Sequence, residues 1–191
     1  MGADDEACIN QTRCWVEDVV VAHDFCPFAG REVARNSIRY VVSPESRVAD
    51  ALEVLIDECL QLDRDSTIET TLLIYPQGFE VFEDYLDFAA LAEDLLFEQG
   101  YEGVYQLATF HPDYCFADSP VDDPANYTNR SPCPLLHLLR EASLEQAIAG
   151  HPDPEGIPER NVSYARELGL STMRALFDKA CKNQRPSSSE E

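Results

Sequence analysis

The sequence predicts a mixed fold, α/β or open-faced α+β. Its centre is a small, mainly parallel sheet of about three strands covered by helices, with a long ordered loop after the third strand. Three observations lead there. Short runs rich in β-branched and aromatic residues recur at 38–42, 70–75 and 104–110. Stretches with apolar residues at helical spacing separate them. Crossovers of that length join parallel strands, since antiparallel neighbours need only a tight turn.

Apolar spacing from Ile9 to Val20, with Trp15 and Val19 on one stripe, predicts an opening helix. It ends before Cys26-Pro27, because proline pushes the preceding residue out of the helical region. Ile38-Arg39-Tyr40-Val41-Val42 is the first strand. Ser43-Pro44-Glu45 then reads as an N-cap, a first-turn proline and an acid favoured by the helix dipole. The following helix aligns Val48, Leu52, Leu55 or Ile56, and Cys59. Thr70 to Tyr75 is the second strand. A helix from Phe82 to Gln99 turns Tyr85, Phe88 or Ala89, Ala92 and Leu96 inward and stops at Gly100. Val104 to Phe110 is the third strand. After the loop, Pro134 opens a helix to about Ala149, with Gly150 as its stop. Two further helices, 155–168 and 171–182, are divided by Gly169. A ferredoxin-like arrangement is the alternative, but no fourth strand announces itself.

With 191 residues and 45% apolar content, the chain is expected to form a single domain, 1–191, with 1–7 and 185–191 disordered. No run of about 18 apolar residues is present and the acidic start lacks an apolar core, so neither a membrane span nor a secretory signal is expected. The chain carries 14 basic and 36 acidic residues, a formal charge of −22. That balance repels phosphate backbones and anionic lipid, which counts against nucleic-acid and membrane partners. Seven cysteines, an odd number, forbid complete internal pairing. Reduced thiols and a cytoplasmic location follow as expectations.

Each strand ends at a proline: Ser43-Pro44, Tyr75-Pro76 and His111-Pro112. In open parallel sheets, ligands bind beyond the carboxyl ends of the strands. Gln77 and His111 are therefore expected at a crevice there, roofed by residues 111–134. His111 titrates near neutrality, which suits acid–base work, though a histidine before proline also serves as a structural hydrogen-bonder. His137 stands one helical turn from Cys133 and from Glu141, giving either an oriented imidazole or a solvated helix face. Cys26, read as the N-cap of a short helix, is either an activated thiol or a buried small residue.

In the loop, Asn126, Asn129, Arg130 and Ser131 are suited to hold an oxyanion, with Arg130 giving bidentate recognition. The competing account is local turn chemistry. Arg140 adds a second cation. His111, Asp113, Cys115, Cys133 and His137 offer metal donors but lack paired spacing, so no metal is expected. No motif names a cofactor or a protein partner.

Several blocks together resemble a bacterial family, the domain-of-unknown-function family 1415. They are Cys-Pro-Phe-Ala at 26–29, Ile-Arg-Tyr-Val-Val at 38–42 and Thr-Thr-Leu-Leu-Ile-Tyr-Pro at 70–76. Phe-His-Pro at 110–112, Asn-Tyr-Thr-Asn-Arg-Ser-Pro at 126–132 and Leu-His-Leu-Leu-Arg-Glu at 136–141 complete the set. The resemblance spans roughly 10–182 and implies no particular activity.

The leading expectation is a cytosolic protein with a small anionic ligand at the sheet edge. It would be an enzyme if His111 moves protons, Arg130 clamps the anion and Cys26 or His137 assists. A protein-interaction module and a thiol redox protein using Cys26 are the alternatives.

Overall fold

The structure, a computed structural model, describes residues 3–182. The order of elements is α1 (Ala3–Trp15), α2 (Ala29–Arg35), β1 (Ile38–Val42), α3 (Val48–Arg64), β2 (Thr70–Ile74), α4 (Phe82–Glu98), β3 (Tyr105–Phe110), β4 (Leu135–Arg140), α5 (Glu141–Ala149), α6 (Ile157–Leu168) and α7 (Leu170–Lys182). A wider π-helical stretch, Val16–Val21, prolongs α1, and a 3₁₀ turn, Pro124–Thr128, lies in the long loop.

The sheet has four strands in the order β1-β2-β4-β3. β1 and β2 pair in parallel, while β4 pairs antiparallel with both β2 and β3. The expectation of a mainly parallel, three-stranded sheet is thus corrected. β1, β2 and β3 do run the same way, but β4 is wedged between β2 and β3 and reverses the pairing. The helix expected from Pro134 is likewise a strand up to Arg140, and only Glu141–Ala149 is helical.

The cause lies in Leu-Leu-His-Leu-Leu-Arg itself. β4 is an interior strand with helices over both faces, so both faces carry leucine and the period-2 signal vanishes. Leu136 and Leu138 join a core with Leu55, Leu62, Tyr85, Phe88 and Leu96, from α3 and α4. Leu135, Leu72 and Ile74 join a second core with Trp15, Val19, Ala165 and Met173, from α1 and its extension, α6 and α7. Helices therefore pack on both faces, unlike a one-sided ferredoxin-like layer.

Two boundaries also move. α3 starts at Val48, not at Ser43. Ser43 is fully buried, and its N–H donates to the Ile74 carbonyl, extending the β1–β2 pairing by one residue. α2 is capped at Phe28, not at Cys26. Of the termini expected to be disordered, residues 3–7 belong to α1, and 1–2 and 185–191 lie outside the described residues.

Candidate functional site

The second face of the sheet is only half covered. α1 and α7 pack over the half bearing Ile74 and Leu135. The other half, over the starts of β1 and β2, faces a cleft of about 590 Å³. That volume falls in the ordinary range for small-molecule sites. Strand alternation builds the floor. Ile38 of β1, Thr70 and Leu72 of β2, His137 and Leu139 of β4, and Ala108 and Phe110 of β3 all point into the cleft. The turn 26–29 with the start of α2 forms one wall, and α5 forms the other through Ser143, Leu144, Gln146 and Ala147. Phe28 and His151 meet edge to face across one end, with ring centroids 6.0 Å apart. The lining is mainly apolar.

His137 and Thr70 are the polar groups of the floor. Its Nε2 lies 2.6 Å from Thr70 Oγ1, and Thr70 Oγ1 lies 2.5 Å from the Leu138 carbonyl oxygen. Two oxygens that close need a proton between them, so the threonine hydroxyl donates to Leu138. Thr70 has no second proton, so Nε2–H must donate to it. The tautomer is thereby set. Nδ1 keeps an unshared lone pair, and no described residue donates to it. Burial pulls the imidazole down from 6.5 to about 4, so the ring is neutral at pH 7.

Cys26 sits in the wall. Burial pushes its thiol up, only partly opposed by the backbone N–H groups of Phe28 and Ala29 directed at the sulfur. It is a neutral thiol at pH 7. The charged lining balances: Arg31 faces Glu32 at 3.1 Å, and Glu69 and Arg140 complete the set.

The structure thus brings three of the sequence-derived candidates, Cys26, His137 and Arg140, to one cleft. It does so on the face of the sheet and not beyond its carboxyl edge. The other candidates do not line it. His111 lies on the opposite side, fully buried between Phe82 and Tyr85. Its Nε2–H donates to the Phe79 carbonyl at 2.9 Å and its Nδ1 accepts the Asp113 N–H at 3.0 Å, so both nitrogens are occupied. Burial holds its pKa down. Gln77 is exposed in a turn where Gly78, at φ 86°, packs against the Ser46 backbone too tightly for any Cβ.

The polar residues of the loop spend their hydrogen bonds on the loop. Asn126, wholly buried, accepts from the Phe116 N–H and donates to the Pro120 carbonyl. Arg130 donates to the carbonyls of Tyr114 and Val121, each at 3.1 Å, and stacks over Tyr127. Asn129 reaches the Thr109 carbonyl, and Ser131 donates to the Cys133 carbonyl. This is the turn-chemistry account, with the loop ordered by its own side chains. Arg140 donates to the carbonyls of Leu62, Asp65 and Ile68 and so caps the end of α3, leaving its stem at the cleft rim. The expected column of Cys133, His137 and Glu141 does not exist, because Cys133 lies before β4, His137 is on it and Glu141 opens α5, so no single helix carries the three.

Sequence reasoning missed Thr70, Ala108, Phe110 and Leu144. Phe110 and Ala108 were legible as one face of β3. Thr70 and Leu144 needed β4 and α5 to be placed first. Among the described residues, no three His, Cys, Asp or Glu side chains converge as metal ligands, and no helix is long and apolar enough to cross a membrane.

No curated protein and no solved structure matches the chain. A family model does, over residues 7–175, and the cleft's Cys-Pro-Phe-Ala wall and Leu-His-Leu floor both fall within that span. The chain therefore belongs to the protein family of unknown function DUF1415.

Proposed function

We propose that the chain binds a small, mainly apolar molecule in the cleft, with His137 as its polar anchor, accepting a hydrogen bond from it. The observation that carries this reading is the placement of a neutral histidine, with one nitrogen committed and one free, on the floor of a mainly apolar cleft of about 590 Å³. A ring that is neutral at pH 7 with one nitrogen committed to Thr70 presents an acceptor, which suits it to hold a donor group of a ligand. Cys26 adds a neutral thiol in the adjacent wall. A cytosolic setting fits the seven free cysteines.

The anion-clamp part of the sequence expectation finds less support. Arg130 and Arg140 are engaged with backbone carbonyls, and Arg31 is matched by Glu32.

The test is titration with the neutral fluorophore N-phenyl-1-naphthylamine. Wild type gives saturable enhancement, Ala108→Trp fills the cleft and abolishes it, and Arg130→Ala binds as wild type does. No saturable binding, or full binding by a folded Ala108→Trp protein, overturns the reading.

A further inference from the structure

We infer that the ligand class taken by this cleft is a neutral molecule with an apolar, ring-sized body and a single hydrogen-bond donor, such as a phenolic or alcoholic hydroxyl, that donates to His137 Nδ1. The inference rests on the cleft being the ligand site and names what that site selects. It follows from the proton count at Thr70. The Thr70 hydroxyl donates to the Leu138 carbonyl at 2.5 Å, so His137 donates to Thr70 from Nε2 at 2.6 Å. What the ring offers the cleft is then a lone pair. A ligand that can only accept would set its own lone pair against this one.

A ligand carrying a donor completes the ring's second bond in surroundings poor in water, where leaving a polar group unpaired is costly. Selection against acceptor-only analogues is therefore strong, as in sites built to pair a substrate hydroxyl.

Anions fare worse still. The floor offers no cation at pH 7, because the His137 ring is neutral and its one N–H is already given to Thr70. At the rim, Arg31 is matched by Glu32 at 3.1 Å and Glu69 also faces the cleft, so a carboxylate would lose hydration without gaining a pair. Arg140 stays on the carbonyls that end α3.

Three naphthalenes of one shape separate the possibilities by calorimetric titration at pH 7. 2-Naphthol donates, 2-methoxynaphthalene only accepts, and 2-naphthoate is an anion. The expected result is binding of 2-naphthol at least tenfold tighter than 2-methoxynaphthalene, with 2-naphthoate weakest. His137→Phe should erase the preference for 2-naphthol while still binding 2-methoxynaphthalene. Should that variant not fold, the ranking on wild type decides alone. Equal affinities, or 2-naphthoate tightest, overturn the inference while leaving the cleft as the site. Failure of all three together with N-phenyl-1-naphthylamine overturns the cleft reading itself.

Discussion

His137 should make the protein acid-sensitive in a window that no surface histidine would produce. Its folded-state pKa is about 4 against an ordinary 6.5, and burial is the cause. Above pH 6.5 the ring is neutral both folded and unfolded and contributes nothing to pH dependence. Between 6.5 and 4 the unfolded chain takes up the proton and the folded chain refuses it, so stability falls as pH drops. Below 4 both forms are protonated and the loss is complete.

At pH 5 the ratio of binding polynomials is roughly 30, which corresponds to about 2 kcal/mol. That is an upper figure, because the ring is half-buried and water in the cleft softens the penalty. Urea unfolding of wild type and His137→Gln at pH 7 and pH 5 isolates the effect, since every other titrating group is common to both proteins. Wild type should lose up to about 2 kcal/mol more than the variant between the two pH values. Parallel losses, within about 0.5 kcal/mol, would refute the neutral ring on which the site depends.

Three further outcomes are expected. Arg140→Ala removes the donors that cap α3 and should cost about 2 kcal/mol in urea unfolding; a loss no larger than that of an exposed arginine would show that the cap is idle. Cys8, whose thiol is drawn down to about 7 by a hydrogen bond from Cys133, should be alkylated by iodoacetamide ahead of Cys26 at pH 7. Cys133→Ala should move the midpoint of that labelling upward, and an unmoved midpoint would refute the pairing. Tyr75, wholly buried with no partner for its hydroxyl among the described residues, should tolerate Tyr75→Phe with no loss of stability and a gain of up to about 1 kcal/mol by thermal melting; a clear loss would reveal a bond to that hydroxyl.

Much of the scaffold was legible in the chain, and the misreadings have specific causes. Ile38–Val42 and Thr70–Ile74 declared themselves by β-branched content, and Gly169, at φ 80°, marks the break between α6 and α7. Leu135–Arg140 hid because a strand covered on both faces has no alternation to display. That one segment carried much else with it: the sheet order, the partner of His137 and the location of the cleft. Arg130 and Asn126 suggest ligand donors in the sequence because their chemistry suits an oxyanion. The same chemistry orders a loop of two dozen residues, and which role applies depends on whether carbonyls lie within reach. Cys26 and His137 were found for reasons that did not survive, a helix cap and a helix column, yet both belong to the cleft. Their placement there comes from long-range pairing, β4 against β2 and the 26–29 turn over the sheet, which no local pattern encodes.

The most direct measurement is a ¹⁵N spectrum of the histidine side chains at pH 7, recorded with and without 2-naphthol. The account expects His137 to appear as the neutral form protonated at Nε2, with its Nδ1 resonance shifting on titration while both nitrogens of His111 stay put. A charged His137, or a bound naphthol that leaves Nδ1 unmoved, would contradict it.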